Sequence, residues 1–299
     1  MHPLETRCFT DAVVVPTMKG DDNRLRGGAF NRQRRPIRSS LLIRHYGVAI
    51  DRLPECPKPA GRLVGAHIFG GYRFEQFGHF LLESCGRLWF ARQNPKTPII
   101  WSLSAGRATR FQTEVLDLLG IENPHVFVDR PVSVETLIVP EPAYTIQVWC
   151  HPDFVDFMGR YRPSGRRAGK VWLSRSKLLA GRAEGETEIE AALADRDWTI
   201  YHPQDHPLQH QLETLGTAAH LAGFAGSAFH NLLLINGFDG EVTLFRRGMQ
   251  RYSRNYDTIA LAKGFPQRVV PVEAEPLDGN GRSACFRLAD PLSLVAQIS

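Results

Sequence analysis

"AHLAGFAG", residues 219–226, runs directly into "SAFHNLLLING", residues 227–237, and this junction decides the fold. A short apolar run closes on Gly223 and Gly226 and passes into a second apolar run, which reads as strand, tight turn and helix. The same order recurs around it. "KVWLSR" (170–175) precedes the helical pattern "ETEIEAALADR" (186–196), "WTIYHP" (198–203) precedes "LQHQLETLGTA" (208–218), and "EVTLFRR" (241–247) follows the glycine turn as a further strand. Strands alternating with helices imply a parallel sheet covered by helices.

The first half repeats the alternation. "TPIIWSL" (97–103), "HVFVD" (125–129) and "VETLIVP" (134–140) read as strands, with "RFQTEVLDLLGI" (110–121) as a helix between the first two. "FGHFLLESCGRLWF" (77–90) reads as one helix, and the first sixty or so residues add short β-like runs such as "AVVVPT" (12–17) and "SLLIRHYGVAI" (40–50). The polar connection "HPDFVDFMGRYRPSGRRAGK" (151–170) is the expected linker. A chain of 299 residues exceeds the size at which one core stops growing, so two α/β domains are expected, 1–162 and 163–299. From Val270 onward the sequence reads as an irregular tail with a short terminal element.

Composition narrows the class. With 43% hydrophobic and 22% charged residues the chain is an ordinary globular one, without the bias of a disordered or repeat protein. The excess of 36 Lys and Arg over 31 Asp and Glu is concentrated early, at Arg24, Arg26, Arg32, Arg34, Arg35, Arg38 and Arg44. This cluster reads as a solvated surface. It also fits an anionic membrane surface or a phosphorylated substrate, whereas no recognised nucleic-acid module accompanies it. Five scattered cysteines with no C-x-x-C pair fit a reducing compartment. No apolar run of 18 residues or leader-like N-terminus is present, so a cytoplasmic protein is expected, one that can lie peripheral to the inner membrane.

Three places carry candidate chemistry. The Gly226–Ser227–Ala228 turn should aim backbone N–H groups outward at a helix start, where phosphate binds, although two glycines also serve a plain tight turn. Ser174, Arg175, Ser176 and Lys177 close a strand at the carboxyl edge of the sheet, where α/β proteins bind ligands; Arg175 offers a planar fork and Lys177 a point charge for phosphate oxygens. His79, Glu83 and Arg87, spaced one turn apart, make a polar stripe that faces water or lines a cleft. A neutral His79 can accept a proton, with Glu83 as its orienter or as a substitute base.

Other patterns lose their chemical reading. Ser174 to Lys177 spells Ser-x-x-Lys, but at a strand end and without Lys-Thr-Gly. Asp195 and Asp197 form an Asp-x-Asp in a helix-to-strand turn. His202, His206 and His210 have ligand spacing only if helical, and Pro203 and Pro207 interrupt that helix. No metal site is expected.

The order "GHFLLESCGRLW", "VWLSRSK", "GETEIEAAL", "PLQHQLETLGTAAHLAGFAGSAFHNLL", "EVTLF" and "NYDTIALAKG" resembles glycosyltransferase family 61 over about Val64 to Gly264. The resemblance implies a GT-B-like fold, two Rossmann-like α/β domains facing a cleft. It implies an inverting transferase, generally metal-independent, whose second domain holds a nucleotide sugar, UDP-linked, and whose first presents a glycan or lipid-linked saccharide acceptor. No cofactor is implied. By position, His79, Glu83 and Arg87 match the first motif, Arg175 the arginine after the strand, Gln211 the glutamine preceding the helix, and Gly226, Ser227 and Asn231 the glycine turn and its asparagine. Arg87 is implied as acceptor-binding or structural. Two departures stand out: Ala225 replaces a histidine before the Gly-Ser pair, and Gly185 an asparagine. Ala225 leaves that role to another group such as His230, to a changed donor, or to a protein that binds without turnover.

Overall fold

The computed structural model describes residues 2–19, 25–44, 48–49, 55–103, 109–247, 252–277 and 284–298. Arg24 of the basic cluster and parts of "SLLIRHYGVAI" lie outside the described residues. Contacts divide the chain into two units, Met1–Met158 and Gly159–Ser299. The division falls inside the polar connection, and the part before it is ordered: Pro152–Met158 is a helix that buries Phe154, Phe157 and Met158. Both units are α/β.

The first unit is built on a six-stranded sheet. Gly61–Arg73 lies between Val132–Pro140 and Ile99–Leu103, parallel to both, with His125–Val128 parallel at one edge. The all-parallel expectation fails at Thr6–Lys19, which runs antiparallel to both Val132–Pro140 and the edge strand Leu25–Phe30. The run "AVVVPT" is thus the middle of a 14-residue interior strand. Its Ala12, Val13 and Val14 are fully buried, which is why that stretch is apolar without alternation. Ala29 from one edge strand and Val128 from the other share a single core cluster with Val14, Phe69, Ile100 and Val134. The sheet therefore curls around its own core.

The second unit holds a five-stranded, wholly parallel sheet. In chain order its strands are Gly169–Leu173, Trp198–Tyr201, Ala218–Phe224, Glu241–Arg247 and Gln267–Val272. They are arranged second, first, third, fourth, fifth. The order reverses between Gly169–Leu173 and Ala218–Phe224, and in doubly wound sheets that reversal opens a crevice beyond the carboxyl ends of the two strands. Gly223 sits at the closest approach of the two strands. Its φ is +157°, and a Cβ there would come 2.7 Å from the Leu173 carbonyl oxygen, so glycine is required.

The tail is not irregular. Gln267–Val272 completes the main sheet, while Ala183–Glu184, Phe286–Leu288 and Ala274–Pro276 form a separate three-stranded sheet. Leu288, Leu294, Val295 and Ile298 pack with Trp172, Ile189 and Leu193 in the core. These residues lie about a hundred positions apart in the chain, beyond the reach of local pattern.

Candidate functional site

In the first unit the stretch 77–93 is not one regular helix. It begins as α-helix at Phe77–His79, widens to a π-turn over Phe80–Ser84, tightens to 3-10 over Cys85–Arg87 and resumes as α-helix at Leu88–Gln93. Cys85 N–H reaches back to the Phe80 carbonyl, the five-residue step that defines a π-turn and that recurs at functional positions. The entry is held from the side. Ser84 Oγ accepts from Phe74 N–H and donates to the Tyr72 carbonyl, and Gln112 Nε2 donates to the Phe74 carbonyl.

The polar stripe is neither a solvated ladder nor an open cleft wall. Glu83 is 9% exposed and Arg87 3%. His79 Nδ1 lies 2.6 Å from Glu83 Oε2. Arg44, from the strand Ile43–Arg44, closes on the same carboxylate with Nε 2.7 Å from Oε1 and Nη2 2.6 Å from Oε2. Burial pushes the Glu83 carboxyl upward, but bonds to His79 and Arg44 outweigh it and hold the group below the usual range. Phe74 supplies a common floor, stacked on His79 at 5.2 Å with the Arg44 guanidinium 5.4 Å from its centre. Arg87 donates to the Ser39 carbonyl and lies over Phe69.

Sequence reasoning missed Arg44. The available signal was a charge inside the apolar run "LLIRH", since an arginine flanked by buried or half-buried Leu42 and Ile43 needs a partner. Elsewhere on this unit a cavity of about 510 Å³ is lined by Arg7, Phe9, Arg38, Ile43 and Trp149, among others. Ile43 lines that cavity while its neighbour Arg44 grips Glu83.

In the second unit the strand-order reversal brings Arg175 and Gly226 together. Ser174 and Arg175 leave the first strand, Ala225 and Gly226 leave the third, and a Cβ on Gly226 would collide with Arg175 Nη1. Arg175 Nε donates to the Gly181 carbonyl, and its backbone N–H donates to Glu186 Oε1, which also accepts from Trp172 Nε1. Burial lowers the Arg175 pKa, and Glu186 and Tyr256 act in the opposite direction. Glu186 was not singled out from sequence. It has no exposed surface, its Oε2 has no partner among the described residues, and burial pushes its carboxyl up to about 7. Ser227 is exposed at the turn, and Tyr256 stacks on His230 at 5.3 Å.

The remaining expected residues stand apart in their contacts. Lys177 pairs with Asp205 at the surface, at 3.2 Å. Gln211 Nε2 donates to the Pro203 and His206 carbonyls, and its Oε1 accepts from Asn231 Nδ2 at 2.9 Å. Asn231 is fully buried. The expected α-helix at "SAFHNLLLING" is a 3-10 helix, Ser227–Leu233. Five of its seven residues are buried, so no one-sided period distinguished the two windings. His206 and His210 stack face to face at 4.4 Å, so their rings do not converge on one point.

The sequence matches the family Glycosyltransferase 61 over residues 77–237, more than half of the chain. The chain belongs to glycosyltransferase family 61. The family region opens at Phe77, first residue of the helical stretch bearing His79 and Glu83, and closes at Gly237, beyond the 3-10 helix that follows the glycine turn. Arg44 and the tail lie outside it. No curated protein matches the chain. Among the described residues no helix is long and apolar enough to cross a membrane.

Proposed function

We propose that the protein is an inverting glycosyltransferase of the GT-B kind, acting without a required metal on a nucleotide sugar, UDP-linked, and a glycan or lipid-linked saccharide acceptor. The observation that carries the reading is the placement of Arg175 against Gly226 at the strand-order reversal of the second unit, inside the family region. There the guanidinium and the backbone N–H groups of Ser227 and Ala228 offset the charge that grows on the departing diphosphate.

The first unit receives the acceptor. Its cavity of about 510 Å³ lies within the range of roughly 300–1,000 Å³ common to small-ligand sites. The acceptor hydroxyl oxygen bonds to the anomeric carbon from the face opposite the diphosphate. The bond from that carbon to the phosphate oxygen breaks with its electron pair, and the hydroxyl proton passes to a base, His79 with Glu83 orienting it or Glu83 in its place. The basic cluster serves peripheral contact with a cytoplasmic membrane face bearing such acceptors.

The test is thermal unfolding against nucleoside diphosphates and nucleotide sugars, with and without divalent metal, followed by transfer assays with the donor that binds. A ligand at a hundred times its dissociation constant adds about 2.7 kcal/mol of stability. A shift with one nucleotide family, independent of metal and lost in Arg175→Ala, is the expected result. A second reading, a sugar-nucleotide binding protein without turnover, is favoured by Ala225 in place of the family histidine; it gives the same shift and no transfer.

A further inference from the structure

We infer that Arg44 is a positioning residue that makes His79, and not Glu83, the base. This rests on the reading of the His79–Glu83 pair given under Proposed function. Glu83 is the shorter and stronger candidate by charge alone, yet both of its oxygens are already engaged. Oε1 accepts from Arg44 Nε, and Oε2 is approached at 2.6 Å by both Arg44 Nη2 and His79 Nδ1. Three of the roughly four acceptor sites of this buried carboxylate are thereby taken, which leaves it poorly placed to receive a further proton.

The same contacts settle the imidazole tautomer. His79 and Arg44 together keep Glu83 ionised in spite of burial. An ionised Oε2 at 2.6 Å from Nδ1 requires a proton between them, and that proton sits on Nδ1. Arg44 Nη2 also comes within 3.3 Å of Nδ1, but the shorter contact to the carboxylate takes the Nδ1–H. In the neutral imidazole Nε2 is then the bare nitrogen. Among the described residues no polar group reaches it, and the His79 side chain is 26% exposed. A turned-over ring would give up the 2.6 Å contact between Nδ1 and Glu83, while Phe74 stacks against both the imidazole and the guanidinium.

Arg44 comes from outside the family region, on a segment fixed at a second point where Arg87 donates to the Ser39 carbonyl. Two arginines thus clasp the segment 39–44 and the π-turned helix together. The amino-terminal part of the chain completes a pair that the family region only begins.

The experiment combines nitrogen NMR with kinetics on the full chain. Protein labelled with ¹⁵N-histidine is compared as wild type, Arg44→Gln and Arg44→Lys, with His79 signals assigned by their loss in His79→Gln. The wild type should show protonated Nδ1 and bare Nε2; Arg44→Gln should show mixed tautomers. In transfer assays Arg44→Gln should lower kcat about 10- to 100-fold, a part of the roughly 10²–10⁴ that a positioned base supplies, with both KM values within about threefold. Arg44→Lys, which keeps the charge and loses the fork, should recover part of the rate. An unchanged tautomer in Arg44→Gln, or a kcat within about twofold of wild type, overturns the assignment. Should Arg44→Gln fail to fold, Arg44→Lys carries the test through kcat, which should fall below that of wild type with both KM values held; a wild-type kcat in Arg44→Lys overturns the assignment. If no donor supports transfer, the reading of the protein as a transferase fails, while the NMR comparison still decides the role of Arg44.

Discussion

Arg175 occupies the space that any side chain at position 226 would need: a Cβ on Gly226 meets Arg175 Nη1 before any backbone atom. Gly226 itself is extended, with φ −163°, so alanine brings no backbone strain there. The guanidinium is the movable partner. Gly226→Ala is therefore expected to leave the unliganded melting temperature nearly unchanged and to abolish the shift caused by nucleotide sugar, as Arg175→Ala does. Retention of the ligand shift in Gly226→Ala would remove Arg175 from the donor site.

Glu186 gives a pH dependence of definite sign. Its carboxyl is raised from an ordinary 4.5 to about 7 by burial, with Arg175 N–H and Trp172 Nε1 acting against that and Glu190 with it. A raised acid holds its proton more tightly when folded, so its favourable contribution is complete below pH 4.5 and is lost as pH rises through about 7. Glu186→Gln, neutral throughout, should gain on wild type by about 2 kcal/mol between pH 5 and pH 8. Urea unfolding at the two pH values measures it; parallel curves for the two proteins would show that Glu186 does not titrate in this range.

Glu213 behaves in the opposite sense. Burial acts upward on it, but bonds from the Ser164 hydroxyl, Tyr161 and the backbone N–H groups of Ser164 and Gly165 bring its carboxyl down to about 2. Its stabilising contribution is present above pH 4.5 and is lost as pH falls through about 2. The group is partly open to solvent, so screening reduces the effect, and Glu213→Gln should cost about 1 kcal/mol at neutral pH. The deficit should close in acid. A constant deficit at pH 2 and pH 7 would assign it to packing instead.

What the sequence revealed follows from the range of each signal. The strand "KVWLSR" and its partners were legible because a parallel strand covered on both faces reads as a continuous apolar run, as buried Val171, Trp172 and Leu173 do. The strand order that places Arg175 beside Gly226 was not legible, since it depends on which strands pair across the chain. The pair His79–Glu83 was readable from a four-residue spacing, whereas its partner Arg44 lies 39 residues away among seven similar arginines. Gln211 and Asn231 were found by resemblance, and the hydrogen bond that joins them was not foreseeable from either position.

The cavity on the first unit yields the last expected outcome. Trp149 is half-exposed and lines it with Arg38, Glu141 and Ile43, giving an apolar face beside charged groups on which the proposed acceptor would rest. Loss of that face removes contacts made equally to bound acceptor and to the transition state, which raises KM and leaves kcat in place. Trp149→Ala is thus expected to raise the acceptor KM about tenfold, equivalent to about 1.4 kcal/mol, with kcat and donor affinity unchanged. Trp149→Phe should retain most of the affinity. Steady-state kinetics with acceptor varied at saturating donor decide the matter: an unchanged acceptor KM in Trp149→Ala places the acceptor elsewhere on the protein, and a fall in kcat alone ties this wall of the cavity to the Arg44 strand beside it.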